Sequence, residues 1–202
     1  MNDEVVLVPG LWMPSAIMSL LGARLARAGY RTTRFAYSGR QSIEQAMQRL
    51  ARLSRERGAP HWVGHSLGGV LVLDMLARHR ELAAGRVVLV GAPVNGCLTG
   101  QRFGTWTLGQ WMLGASAPLW KERSARWPRP EPLGVIAGTR SLGLGRLVGE
   151  LPGENDGVVR VAETVVEGMT GHMRVPEGHS MLAVSRRVSA LVAQFLRTAS
   201  FA

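Results

Sequence analysis

The sequence predicts an α/β domain, about six mainly parallel strands with helices on both faces, and three observations predict it. Apolar β-branched runs alternate with segments of helical period from one end of the chain to the other, the rhythm of a parallel sheet flanked by helices. At 202 residues and 46% hydrophobic composition the chain is long enough for one sizeable core and short for two, so residues 1–202 are read as a single domain. Its last helical segment places Val184, Val188, Leu191, Val192 and Phe195 on one stripe, as packing against a sheet requires.

Taken in order, Val5–Val8 reads as the first strand, Ile17–Ala28 as a helix, Thr32–Ala36 as the second strand and Ile43–Leu53 as the second helix. That helix is well bounded: Ser42 and Gln45 have capping-box spacing, Ile43, Met47 and Leu50 share a face, and Gly58 with Pro60 forms a stop. Further strands read at His61–Gly64, Arg86–Val90, Gly134–Ala137 and His172–Val175. One stretch breaks the rhythm. From about Cys97 to Pro132 the chain carries Phe103, Trp106, Trp111, Trp120 and Trp127 among glycines and prolines. Connections of this length are commonly functional, so 97–132 is read as a cap over a pocket, with Trp106, Trp111 and Trp120 as candidate pocket residues. The alternative is that these rings pack the crossover onto the sheet.

Composition excludes several classes. Cys97 is the sole cysteine, so an intramolecular disulfide cannot form. No basic segment precedes an apolar stretch of signal-peptide length, and no apolar run approaches the roughly 20 residues that cross a bilayer; a soluble, cytoplasmic protein is expected. The net charge of +10 invites a polyanion partner, but Lys121 is the one lysine among 24 basic residues and the arginines are dispersed. A specific nucleic-acid footprint is therefore not expected, while peripheral contact with an anionic membrane stays open. No histidine and cysteine cluster has metal-ligand spacing. Gly143 to Gly149 is a poor match to a dinucleotide loop, since its third glycine falls one residue late and no acidic partner follows.

The chemistry-bearing segment is Gly64-His65-Ser66-Leu67-Gly68-Gly69, directly after a strand and directly before the helical run Val70-Leu71-Val72-Leu73. This is G-x-S-x-G in the context its chemistry needs: the small residues permit a tight strand-to-helix turn that lifts the Ser66 hydroxyl above the sheet. The turn also puts the Leu67 N–H at a helix N-terminus, where it can donate to a developing oxyanion.

With this segment the chain resembles the lipase and esterase branch of the α/β-hydrolase superfamily over most of its length. The resemblance implies a sheet order 2-1-3-4-5-6 and a triad in the chain order nucleophile, acid, histidine. Of the aspartates Asp3, Asp74 and Asp156, the last alone follows Ser66 outside a helix, in Glu154-Asn155-Asp156-Gly157-Val158-Val159; Glu154 and Glu150 stand as reserves. His179, in Val175-Pro176-Glu177-Gly178-His179-Ser180, occupies the slot between last strand and last helix where this family carries its base. His61, His65 and His79 are badly placed for a base, and His172 is read as structural. The second oxyanion donor is expected from Val8-Pro9-Gly10-Leu11-Trp12-Met13, at Leu11 or Trp12, where Pro9 departs from the family's usual His-Gly. Gly91-Ala92-Pro93-Val94-Asn95-Gly96 resembles a lipase turn that lacks its histidine, and is read as pocket edge.

The expected activity is cleavage of a carboxylic ester, small-molecule or lipid, through an acyl-enzyme, with no cofactor. A thioesterase, amidase or acyltransferase would use the same triad, and a non-catalytic binding protein with a basic docking surface is the rival from another class.

Overall fold

A computed structural model describes residues 3–38, 42–142 and 149–202. Gly143 to Val148, which hold most of the dinucleotide-like stretch, lie outside the described residues. Six strands form one sheet: β1 (Glu4–Val8), β2 (Arg31–Arg34), β3 (His61–His65), β4 (Val87–Val90), β5 (Leu133–Gly138) and β6 (Gly171–Val175). Their order is β2-β1-β3-β4-β5-β6, and each of the five neighbour pairs is parallel. The order implied by the resemblance is thus the observed one. Among the described residues seven α-helices accompany them: α1 (Ser19–Arg27), α2 (Ile43–Arg57), α3 (Leu67–Arg78), α4 (Leu98–Phe103), α5 (Thr107–Leu113), α6 (His179–Leu182) and α7 (Arg186–Thr198).

Side chains alternate across the pleat, and both faces of the central strands are apolar because both are covered. On one face Val6, Val8, Trp62, Val87, Leu89, Leu133 and Val135 pack with Met47 and Leu50 of α2 and Leu71 and Met75 of α3. On the other, Val5, Leu7, Val63, Val88, Val90 and Ile136 meet Leu21 and Leu25 of α1 and Val188, Val192 and Phe195 of α7. The last of these pairings explains the apolar stripe read in the C-terminal segment. α2 begins as its sequence predicts, with Ser42 Oγ accepting from Gln45 N at 3.1 Å, and ends at Gly58 with φ 74°. The α7 start is also capped, by Ser185.

The tryptophans of residues 97–132 differ in burial. Trp120 and Trp127 are buried and belong to the core. Trp106 and Trp111 are exposed. Two short helices, α4 and α5, and a 3-10 helix over Gly114–Trp120 carry this segment, and Trp120 Nε1 donates to Ser116 Oγ at 3.1 Å within it. Among the described residues no helix is long and apolar enough to cross a membrane.

One buried cation ties this crossover to the sheet's helices. The Arg129 side chain is 4% exposed and lies against Glu131 at 2.6 Å. Its guanidinium donates to the carbonyls of Leu76 and His79, at 3.1 Å each, and of Leu82 at 2.6 Å. Leu76 is in the last turn of α3 and His79 is its C-cap, so the cation sits at the negative end of the helix whose other end carries Ser66. Arg129→Met is expected to destabilise the fold by about 3 kcal/mol, since it leaves Glu131 and the helix end unpartnered; chemical denaturation monitored by circular dichroism measures this, with a shift in midpoint at unchanged slope.

Candidate active site

The geometry begins with crowding between backbones. A Cβ on Gly64 would lie 2.4 Å from the Gly69 Cα, and one on Gly68 would lie 2.3 Å from both the Val8 and Pro9 carbonyl oxygens. Without side chains at these positions β3 can turn directly into α3, and the turn forces Ser66 to φ 52°, ψ −128°. Backbone in this region costs about 1–3 kcal/mol for a residue with a Cβ. It is held by Ser66 N–H donating to Val90 O at 2.9 Å, and by Gly69 N–H donating to Ser66 O at 2.9 Å. The hydroxyl emerges at the carboxyl edge of the sheet, where the loops after β1, β4, β5 and β6 converge.

The structure brings Ser66, His179 and Asp156 together. His179 Nε2 lies 3.0 Å from Ser66 Oγ, and His179 Nδ1 lies 2.7 Å from Asp156 Oδ2. Asp156 is 1% exposed. Its second oxygen, Oδ1, accepts from Val158 N at 3.0 Å and Val159 N at 2.7 Å. A buried carboxylate with main-chain donors on one oxygen is fixed in place and presents the other oxygen to the imidazole. The acid and histidine loops also share a main-chain bond, His179 N–H to Asp156 O at 2.9 Å. The reserve acids lie elsewhere: Glu154 pairs with Arg174 at 2.7 Å, and Glu150 is exposed.

Leu67 N–H opens α3 beside Ser66, ahead of the helix's own hydrogen-bond ladder. Across from it runs the loop after β1. A Cβ on Gly10 would come within 2.9 Å of Ser66 Cβ, so this loop presses against the serine, and the next two residues are Leu11 and Trp12. Trp12 itself takes φ 59°, a conformation uncommon for a bulky residue. Its ring meets Phe103 of α4 edge-on at 6.0 Å, and Phe103 in turn meets Trp106 at 6.0 Å. Of the three tryptophans expected to line a pocket, Trp106 and Trp111 are exposed, as is Leu108. Trp120 is directed inward, packed so closely on α4 that a Cβ on Gly100 would lie 2.9 Å from its ring. Burial at that position follows from Gly100, a small residue that sequence periodicity does not flag.

Three supporting features were not read from the sequence. Gly91, at φ 56°, packs against Asp156 and His179: its added Cβ would lie 3.4 Å from both Asp156 Oδ2 and His179 Nδ1. Thr99 Oγ1 donates to Val158 O at 2.6 Å, and Glu163 Oε1 accepts from Leu98 N at 2.7 Å, which ties the start of α4 to the loop holding Asp156. His65, read as part of the turn alone, is fully buried with Nε2 3.1 Å from the His179 carbonyl oxygen. The Asn95 turn is not pocket edge alone, since its Nδ2 donates to Val165 O at 2.7 Å and its Oδ1 accepts from Ala125 N at 2.7 Å. Cys97 is buried and its thiol is pushed up to about 12 by desolvation, which leaves it inert as a nucleophile. Among the described residues no group of three His, Cys, Asp or Glu could hold a metal ion.

Residues 5–195 match the family model described as the alpha/beta hydrolase family. No curated protein matches the sequence. Solved structures with the same fold include the propeptide form of a Bacillus licheniformis lipase, at TM-score 0.75 and 17% identity, covering 94% of this chain and 50% of that one. This chain thus spans about half the length of that precursor. A metagenomic carboxyl esterase aligns at TM-score 0.68 and 18% identity over 96% of this chain and 75% of its own. A monoacylglycerol lipase of Paleococcus ferrophilus aligns at TM-score 0.62 and 18% identity over 98% of this chain and 95% of its own. At these identities the likeness is one of fold.

Burial lowers the affinity of three histidines for a proton. Desolvation, joined by the nearby His179, pushes His65 from 6.5 down to about 3; desolvation and a neighbouring arginine also lower His61 and His172. The unfolded chain therefore binds more protons than the folded one between pH 6.5 and 3, so stability rises with pH across that window and falls on acidification. Thermal unfolding followed from pH 7 to pH 4 is expected to show a falling midpoint, and His65→Gln is expected to show a shallower fall.

Proposed function

The chain belongs to the alpha/beta hydrolase family, and from that premise we propose that it is a serine hydrolase cleaving carboxylic esters through an acyl-enzyme on Ser66. The observation that carries this reading is the continuous relay Ser66 Oγ to His179 Nε2 at 3.0 Å and His179 Nδ1 to Asp156 Oδ2 at 2.7 Å. A serine hydroxyl is a weak nucleophile near neutral pH. His179 Nε2 takes its proton as Oγ attacks the acyl carbon, while Asp156 keeps the second imidazole proton on Nδ1 and steadies the imidazolium.

The tetrahedral oxyanion is received by the Leu67 N–H and by the Leu11 or Trp12 N–H. Fixed donors placed before the charge develops need no reorganisation during the reaction. His179 returns the proton to the departing alkoxide, and acyl-Ser66 is then hydrolysed by a water that the same imidazole deprotonates. No cofactor enters any step. The aromatic surface formed by Trp12, Phe103 and Trp106 supports a substrate with an apolar acyl chain.

A second observation favours a lipid setting for this chemistry. Trp106, Leu108 and Trp111 are 50%, 65% and 68% exposed, and residues 97–121 include Arg102 and Lys121 with no acidic residue. We propose that this face rests on an anionic bilayer, where tryptophan favours the interface and basic charge adds attraction that salt screens.

Ser66→Ala is expected to abolish labelling by a fluorophosphonate probe and to lower kcat on p-nitrophenyl esters by about 10⁴-fold or more, and Asp156→Asn by about 10²–10⁴-fold with the fold intact; kcat/KM is expected to rise from acetate to octanoate. Labelling retained in Ser66→Ala would exclude the assignment. In sedimentation with phosphatidylglycerol-containing vesicles, the wild type is expected to pellet at low salt and Trp106→Ala/Trp111→Ala to remain in solution; equal binding by both would remove the bilayer reading.

A further inference from the structure

His65 is a buried titratable ring that the proposed chemistry leaves unused. It is the last residue of β3, directly before Ser66, and 1% exposed. Its ring centre lies 5.0 Å from that of His179. Two contacts define it. Nε2 is 3.1 Å from the main-chain oxygen of His179, and a carbonyl can only accept, so Nε2 carries the proton and donates. Nδ1 is buried and, among the described residues, has no hydrogen-bond partner. It faces Gly10, where an added Cβ would lie 3.2 Å away. A second proton at Nδ1 would be buried without an acceptor, which is the physical reason that the ring stays neutral.

We propose that His65 is a positioning residue for the reaction: its Nε2–H grips the His179 carbonyl and so holds the His179 imidazole at its working distance from Ser66. The inference rests on the hydrolase reading above. His179 opens α6, a helix of four residues, too short to stabilise itself. The acid loop holds it from one side, through His179 N–H to Asp156 O at 2.9 Å and through the Nδ1–Asp156 contact. His65 holds it from the other. Because His65 and Ser66 are consecutive, this second tie connects base to nucleophile through a single peptide unit. Without it the histidine stays with its acid, and the separation that loosens is the one between Nε2 and Oγ. Proton transfer is then slowed while the surface that receives the acyl chain is untouched.

The chemistry also restricts what can stand at this position. The donor must be uncharged, because a cation 5 Å from His179 would oppose formation of the imidazolium in the transition state. A carboxamide meets that requirement at comparable reach, and a hydrocarbon does not.

The test compares wild type, Ser66→Ala, His65→Gln and His65→Leu on p-nitrophenyl butyrate, with thermal melts of each. His65→Leu is expected to lose about tenfold to a hundredfold in kcat with KM within about twofold of wild type, the size of loss that small misplacements of reacting groups produce, and His65→Gln to recover most of it. Wild-type kcat in His65→Leu, or a loss in His65→Gln as large as in His65→Leu, overturns the proposal. Should His65→Leu fail to fold, side-chain nitrogen NMR of the wild type decides: the His65 ring is expected as a neutral Nε2–H tautomer at neutral pH, and a charged ring or an Nδ1–H tautomer overturns the proposal while leaving the hydrolase reading standing. A folded wild type that neither labels nor turns over, with the expected tautomer present, overturns the hydrolase reading and the role of His65 with it.

Discussion

At Ser66 the chain passes from a central strand into a buried helix within one residue, and the backbone accepts φ 52° to do so. Everything at the carboxyl edge of the sheet is arranged around that turn. Gly68 lets α3 start against the carbonyls of Val8 and Pro9, and Gly10, the next residue, lets the loop after β1 close on Ser66. The price in backbone strain is met by the packing of β3 and α3 between neighbours on both faces. A residue in an unfavoured conformation persists when its surroundings over-determine it, and here the helix end far from Ser66 is itself fastened by Arg129.

The groups facing the serine are held mainly by main-chain hydrogen bonds. Asp156 receives two amide N–H groups on the oxygen it does not offer to His179, and the loops of Asp156 and His179 are joined by a further amide. Gly91 and Gly138 leave room for this arrangement, since side chains there would press on Asp156, His179 or the Glu177 carbonyl. Such preorganisation places charge and proton acceptors before a reaction begins. The aromatic surface is built differently. Trp12 joins it from the loop after β1, Phe103 and Trp106 from the crossover segment, and ring contacts link the three.

How far the sequence foretells this depends on what kind of information each feature needs. The central strands were legible because a parallel sheet covered on both faces demands unbroken apolar runs, as in Val87–Val90. The edge strand β2, Arg31–Arg34, was legible in place and less so in extent, because its polar residues give no period and pairing ends at Arg34. Ser66, Asp156 and His179 could be singled out from local context and chain order, and the structure brings the three together. The segment 97–132 was harder, since its short helices have no long apolar period and composition does not say which way a tryptophan points. Trp120 turned inward onto Gly100 while Trp106 faced out. His65 was invisible as a positioning residue because its partner is a carbonyl 114 residues away, and a main-chain acceptor leaves no mark in sequence.

The central claim is that Ser66 becomes covalently acylated and that water then releases the acyl group. Rapid mixing with p-nitrophenyl butyrate, acid quenching within the first turnover and mass analysis of proteolytic peptides addresses it directly. The account predicts a burst of p-nitrophenol and a butyryl adduct on Ser66 that disappears as substrate is exhausted. An adduct on another residue, or turnover with Ser66 unmodified and unaffected by its replacement with alanine, would contradict it.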